Sequence, residues 1–377
     1  MRRGPVAACG GAALVAAAVL GWSDVRRERD FRRLLSEGDQ ALTAQQTSQA
    51  VELFSGAIAL RPSAMLPYLK RGDTYLHRQE WAAAERDLRQ ASALNPTAPQ
   101  PFDRLGDASM ATGRFANAVV LYRESLALED RDARVLYKLS LAQYQTGDAT
   151  GALAACEDSL QLDPTNAAAH YLHGLALWSL DRAEDAQAAL ERAVTLAPAM
   201  VAPRTALAEV HAARGQVRDA LAAREAVAAF DTAAPTALVS LAVAYAANGR
   251  TDQALAALAR AADQGLSPNA IAMARARVWV DVARQTTDSA ALRRALVTLA
   301  PLAAASEADS EVLTLYGRAL LLDGSLAAAE RALERATSHY PVAPGAFGLL
   351  AEVADRRGHQ ASANVARARH RALTPPR

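Results

Sequence analysis

Small, bulky and polar positions recur along this chain with a period of 34 residues. Counted from Phe31, position 20 of every period is alanine: Ala50, Ala84, Ala118, Ala152, Ala186, Ala220, Ala254, Ala295, Ala329 and Ala363. Position 8 is small throughout: Gly38, Gly72, Gly106, Ser140, Gly174, Ala208, Ala242, Ala276, Gly317 and Ala351. Position 24 is bulky in most periods, as at Phe54, Leu88, Tyr122, Leu190, Leu258, Leu299 and Leu333, and is Cys156 in the fourth. Arg224 and Arg367 break that rule, which marks the sixth and tenth periods as the weakest. The repeats are 31–64, 65–98, 99–132, 133–166, 167–200, 201–234, 235–268, 269–309, 310–343 and 344–377. The eighth is 41 residues long, and its register requires seven extra residues in the loop between its helices, around Gln285–Ser289.

Each period reads as helix A, a short polar turn, helix B and a stop. In repeat 3 helix A is expected near Pro101–Ala111, the turn at Thr112-Gly113-Arg114, and helix B near Phe115–Leu128. Gly147, Gly215, Gly249, Gly324 and Gly358 occupy the equivalent turn, where a residue tolerating positive φ suits a helix C-cap. Pro62, Pro96, Pro164 and Pro198 stand at position 32 and end helix B, because proline cannot continue a helix.

These residues resemble the tetratricopeptide repeat family, whose pattern places Gly or Ala at 8, Tyr at 11, Ala at 20, an aromatic at 24, Ala at 27 and Pro at 32. Tyr68, Gly72, Tyr75, Ala84, Leu88, Ala91 and Pro96 carry it in repeat 2, and Leu313, Gly317, Leu320, Ala329, Leu333, Ala336 and Pro341 in repeat 9. The resemblance covers residues 31–377 and implies an all-α fold. The expected architecture is a right-handed superhelical α-solenoid of about ten helix-turn-helix repeats, preceded by an N-terminal apolar helix. It also implies that helix A lines a concave groove, with positions 2, 5, 6, 9, 12 and 13 pointing inward.

Composition supports the helical reading. Alanine accounts for 93 residues and aromatics for only 5%, so the best helix former abounds and strand-favouring runs are missing. Net charge is +1, so no basic field points to nucleic acid. Two cysteines, Cys9 and Cys156, support neither a disulfide framework nor a structural zinc site. His170 and His173 form an HxxH pair on a helix A, but at positions expected to pack, with no further ligand at local spacing. Cys156, at the large packing position, is expected to be an inert core thiol. No phosphate loop or nucleophile elbow occurs, so neither a cofactor nor an enzymatic activity is expected, and the repeats run to the last residue.

The candidate surface is therefore the groove. Position 9 supplies Asp39, Asp73 and Asp107 in repeats 1–3, and position 6 supplies Lys70, Arg104 and Lys138 in repeats 2–4. Lys70–Asp73 and Arg104–Asp107 are i,i+3 neighbours that can pair on one helix. The set is read either as a self-neutralised solvated face or as a polar ladder for an extended partner. Farther along, Tyr137, Leu141, Tyr144, Tyr171, Leu175 and Trp178 turn these positions apolar. Tyr137, Tyr144, Tyr171 and Trp178 are contact candidates because aromatic rings bury much area at low entropic cost; packing between A helices is the competing reading. The family's carboxylate clamp for chaperone C-termini is absent: position 5 is Leu35, Leu69, Asp103 and Tyr137, never basic.

Residues 1–30 form a separate N-terminal segment. Arg2 and Arg3 precede the apolar stretch 5–22, and Arg26, Arg27, Arg29, Arg32 and Arg33 follow it. As a helix the stretch would span about 27 Å, close to a bilayer core. An uncleaved single-pass anchor, a cleaved signal peptide and a soluble N-terminal helix are the three readings. The basic flank favours a cytoplasmic body. Cys9 precedes the apolar core, so it does not read as a lipid-attachment site. The expected function is a membrane-tethered scaffold binding another protein or peptide in the groove; the alternatives are a periplasmic or secreted binding module and an enzyme with an unrecognised site. Oligomeric state is left open by the sequence.

Overall fold

The computed structural model of the chain describes residues 7–129, 131–230, 234–305, 308–343 and 345–373, with side chains from residue 25 onward. All regular structure among these residues is α-helical, in twenty helices that follow the expected repeats in order. They fall into two compact blocks, residues 1–180 and 181–377. The division lies inside repeat 5, between its two helices.

The N-terminal block contains α1 (Ala7–Thr43), α2 (Thr47–Leu60), α3 (Met65–His77), α4 (Trp81–Leu94), α5 (Gln100–Ala111), α6 (Phe115–Leu128), α7 (Ala133–Gln145), α8 (Ala149–Leu162) and α9 (Ala167–Ser179). Odd-numbered helices are the A helices and even-numbered ones the B helices; α1, α3, α5 and α7 each pack on their own B helix, and α3, α5, α7 and α9 on the B helix before them. The C-terminal block contains α10 (Ala183–Leu196), α11 (Val201–Ala213), α12 (Val217–Ala228), α13 (Pro235–Ala247), α14 (Thr251–Asp263), α15 (Pro268–Thr286), α16 (Ser289–Ala304), α17 (Ser310–Leu322), α18 (Leu326–Ser338), α19 (Ala346–Arg356) and α20 (Gln360–Leu373). From α11 onward it repeats the same pairing.

The register has a steric cause. All ten position-20 alanines are buried, nine of them without any accessible surface. At position 8 the helices approach so closely that a Cβ on Gly72 would lie 2.8 Å from Leu88, and one on Gly317 2.6 Å from Leu333. Gly38 and Gly106 lie under the rings of Phe54 and Tyr122 in the same way. Both aromatic residues at position 24 therefore oppose a glycine. Ser140 is tolerated at position 8 of repeat 4 because Cys156 is small, and its hydroxyl donates to the Ala152 carbonyl at 2.7 Å. In repeat 6, Arg224 leaves the core and pairs with Glu209 at 3.1 Å. A cavity of about 50 Å³ remains beside it.

Turns and stops follow local chemistry. Position 15 is left-handed in every intact turn, with φ of 70–81° at Gly113, Gly147, Gly215, Gly249, Gly324 and Gly358. Repeats 1, 2 and 5 force the same conformation on Gln45, Gln79 and Asp181, at 58–60°. The next amide then reaches back to the last turn of helix A, as from Arg114 to the Ser109 carbonyl at 2.8 Å. Helix B ends two residues before its proline, at Leu60, Leu94, Leu162 and Leu196, because the residue before a proline is pushed out of the α region.

Repeat 8 corrects one expectation. Its extra residues do not form a loop: α15 is 19 residues long and runs through Gln285 to Thr286. Val282 and Ala283 are buried along this extension, so packing carries the helix onward. Left-handed Thr287 stops it, and Asp288 caps α16 by accepting from the Ala290 amide at 2.7 Å. Ala276 and Ala295 remain fully buried, so the register survives.

Helix α1 continues unbroken past residue 31. The expected anchor, residues 5–22, lies outside the residues whose side chains are described; among the described residues no helix is long and apolar enough to cross a membrane.

Two substitutions test this steric account by chemical denaturation. Gly72→Ala forces Leu88 off its site and is expected to cost about 1–3 kcal/mol. Gln79→Gly removes the left-handed penalty and is expected to gain about 0.5–1 kcal/mol. A neutral Gly72→Ala would show that the helices can separate freely.

Candidate functional site

The candidate charged residues do come together on the A-helix face of the N-terminal block, in an arrangement that differs from the i,i+3 pairing expected. Lys70 pairs with Asp39 of the preceding repeat at 2.6 Å and not with Asp73. Arg104 reaches back to Asp73 at 2.9 Å, and Lys138 reaches back to Asp107 at 2.7 Å. Each partner is 31 residues away, so position 6 of one repeat is joined to position 9 of the one before. The expected Arg104–Asp107 contact is present only as a weaker addition at 3.3 Å. The i,i+3 reading fails for Lys70–Asp73 and holds in part for Arg104–Asp107, because adjacent A helices are near enough for long side chains to bridge from one repeat to the next.

Asp103 completes the ladder and was not among the candidates. It is 5% exposed and accepts from Arg104 at 3.0 Å and Lys138 at 2.7 Å. The Tyr122 hydroxyl donates to Asp107 at 2.8 Å. Burial raises the Asp73 carboxyl above the ordinary range, against the opposing charge of Arg104. Arg104 is desolvated too, yet Asp73, Asp103 and Asp107 together hold its guanidinium above its usual value. Burial and the Asp107 charge push the Tyr122 hydroxyl well up. A cavity of about 350 Å³ adjoins the ladder, lined by Asp73, Leu76, His77, Trp81, Arg104 and Asp107.

A second buried pair, also not foreseen, lies off this face. Arg71 donates to Asp87 from Nε at 2.6 Å and from Nη2 at 2.9 Å, and from Nη1 to the Ser55 hydroxyl at 2.8 Å. Asp87 is 3% exposed. Its fixed place between repeats 1 and 2 marks it as structural.

The aromatic candidates form a half-buried patch. Tyr137, Leu141 and Tyr144 pack against the buried cluster of Cys156, Ala169 and Leu172. Burial raises the Tyr171 hydroxyl, with a smaller effect from Tyr144, and burial likewise raises Tyr137, with Tyr171 among its neighbours. Tyr171 is therefore near both Tyr137 and Tyr144. Trp178 is half-buried on α9, at the register Tyr144 holds on α7.

The remaining candidates settle into packing. Cys156 is buried, donates to the Ala169 carbonyl at 3.0 Å, and burial pushes its thiol up to about 11. His170 meets the Pro164 carbonyl at 2.9 Å, and His173 lies 3.6 Å from Glu157. Among the described residues no three His, Cys, Asp or Glu side chains gather as a metal group.

The family model described as Tetratricopeptide repeat matches residues 35–99 and 205–271. The model for Anaphase-promoting complex, cyclosome, subunit 3 matches residues 111–193. No curated protein matches the chain. Among solved structures, PilF of Pseudomonas aeruginosa is 19% identical with a TM-score of 0.47, over 54% of this chain and 93% of that one. YrrB, described as a TPR protein with an unusual peptide-binding site, is 18% identical with a TM-score of 0.42, over 48% of this chain and 90% of its own. MamA is 22% identical with a TM-score of 0.42, over 44% of this chain and 91% of its own.

The ladder makes a contrast measurable by urea unfolding. Asp103→Asn weakens buried contacts to two cations and is expected to cost about 2–3 kcal/mol at pH 7. Asp73→Asn removes a charge that burial disfavours and is expected to change stability by less than about 1 kcal/mol. A carboxyl raised on folding costs stability above its unfolded pKa, and that cost disappears as pH falls through the raised value. The Asp73→Asn difference should therefore shrink on acidification.

Proposed function

We propose that this chain, a tetratricopeptide-repeat scaffold for protein–protein interaction, holds its partner on the A-helix face by the aromatic patch of repeats 4 and 5. The observation that carries this reading is the half-burial of Tyr137, Tyr144, Tyr171 and Trp178. Such rings keep enough accessible surface to bury against a partner while their own packing fixes their rotamers, which lowers the entropic cost of contact. The charged ladder beside them is not the reading surface. Its cations are taken up by neighbouring repeats at 2.6–2.9 Å, and a ligand would have to displace those pairs.

Affinity capture from a source lysate compares the chain with its Trp178→Ala/Tyr171→Ala variant, with circular dichroism confirming equal helicity. A partner retained by the wild type should be lost at least tenfold in the variant, since buried aromatic anchors dominate interface energies. Equal capture would remove the patch from the interface.

The N-terminal tether is the finer part of the proposal and rests on the apolar stretch 5–22 and its basic flanks. Terminal sequencing of the protein from the membrane fraction is expected to return an intact Met1. A mature terminus beyond residue 22 would establish the exported, cleaved form instead.

A further inference from the structure

Helix α1 runs without a break from Ala7 to Thr43, so the apolar stretch continues into helix A of repeat 1 with no linker between them. The junction is also fixed from the side. Arg61, just past α2, pairs with Glu28 and lies over the Phe31 ring at 5.1 Å. Phe31 is itself buried in the core cluster of repeat 1. The direction in which the chain leaves residue 22 is thereby tied to the repeat.

Arg26, Arg27, Arg29, Arg32 and Arg33 crowd this junction against Asp24, Glu28 and Asp30. Two of the acids are already taken: Glu28 pairs with Arg32 and Arg61, and Asp30 pairs with Arg33 at 3.4 Å. Arg27 and Arg29 are exposed and, among the described residues, make no ion pair. Val25 beside them is 67% exposed. At the rise of an α-helix, Arg27 and Arg29 follow Trp22 by about 8 and about 11 Å. Side chains on a helix lean back over the preceding turn, about 5 Å, so both guanidiniums point toward the apolar stretch. That sets them in the polar layer of a bilayer, which is about 5–8 Å deep on each side of the hydrocarbon. The anion in that layer is phosphate, which a guanidinium binds bidentately.

We propose that Arg27 and Arg29 bind the headgroup phosphates of anionic phospholipids where α1 leaves the bilayer, holding repeat 1 against the membrane surface. The inference rests on the tether reading of residues 5–22 and adds to it the class of lipid recognised. Zwitterionic lipids carry their own cation beside the phosphate, so the net attraction of an unmatched arginine is to anionic ones.

Tryptophan quenching on the full chain tests it, because Trp22 lies in the apolar stretch while Trp81, Trp178 and Trp279 lie in the repeats. The chain is reconstituted in mixed vesicles of phosphatidylcholine and phosphatidylglycerol, with one lipid at a time brominated on its acyl chains. At low salt brominated phosphatidylglycerol is expected to win the Trp22 contact by about fivefold or more, and high salt should erase the preference. Arg27→Gln/Arg29→Gln should bring it close to unity while both lipids still quench. Arg369→Gln/Arg371→Gln, which removes two exposed arginines from α20, should leave it unchanged. Replacing chloride by inorganic phosphate at equal ionic strength should not alter it either; loss of the preference there would overturn the lipid assignment in favour of a free-anion site. Equal quenching by both lipids, or a preference that survives Arg27→Gln/Arg29→Gln, sinks the headgroup contact and leaves the tether standing. No quenching by either lipid sinks the tether reading and this inference with it.

Discussion

A helix pair of this kind closes only where one helix offers almost no side chain to the other. At position 8 the bulky group of position 24 lies directly over the backbone, so Gly38 and Gly106 accommodate Phe54 and Tyr122, and Gly72 and Gly317 accommodate leucines. Position 20 supplies the matching small residue from helix B, buried in every repeat. With that approach distance set, successive A helices lie near enough for side chains of one repeat to reach the next. The ladder, the aromatic patch and the cavities on the A-helix face all depend on it. No single repeat can bury its own apolar face, so the stability of each is tied to its neighbours.

The same register then serves two purposes. In the N-terminal block, positions 6 and 9 are mortar. Asp39 with Lys70, Asp73 with Arg104, and Asp107 with Lys138 join consecutive repeats at a constant 31-residue separation. Both lysines of the chain are used this way. Between repeats 8 and 9 and between 9 and 10, position 9 is Arg277 or Arg318 and position 6 of the next repeat is Leu315 or Leu349, so packing replaces the ion pair there.

Much of this was legible in the sequence. The recurrence of alanine at position 20 and the stops at position 32 placed helices A and B in order, since sterics and proline act locally. The partners of the charged residues were not legible. An i,i+3 pair such as Lys70–Asp73 satisfies the local rules, and nothing in the residues themselves says that an adjacent helix competes for the same ammonium. Asp103 was passed over because position 5 was searched for basic residues. The extra seven residues of repeat 8 were read as a loop from the polar run at Gln285, while buried Val282 and Ala283 carry the helix past its usual end.

The claim that the ladder binds repeats together and does not bind a partner is tested most directly by a double-mutant cycle. Lys138→Met, Asp107→Asn and the double variant are unfolded in urea, and the affinity of each for the captured partner is measured alongside. The account predicts a coupling of about 0.5–2 kcal/mol in stability and none in affinity. Coupling confined to partner affinity, with none in unfolding, would contradict it.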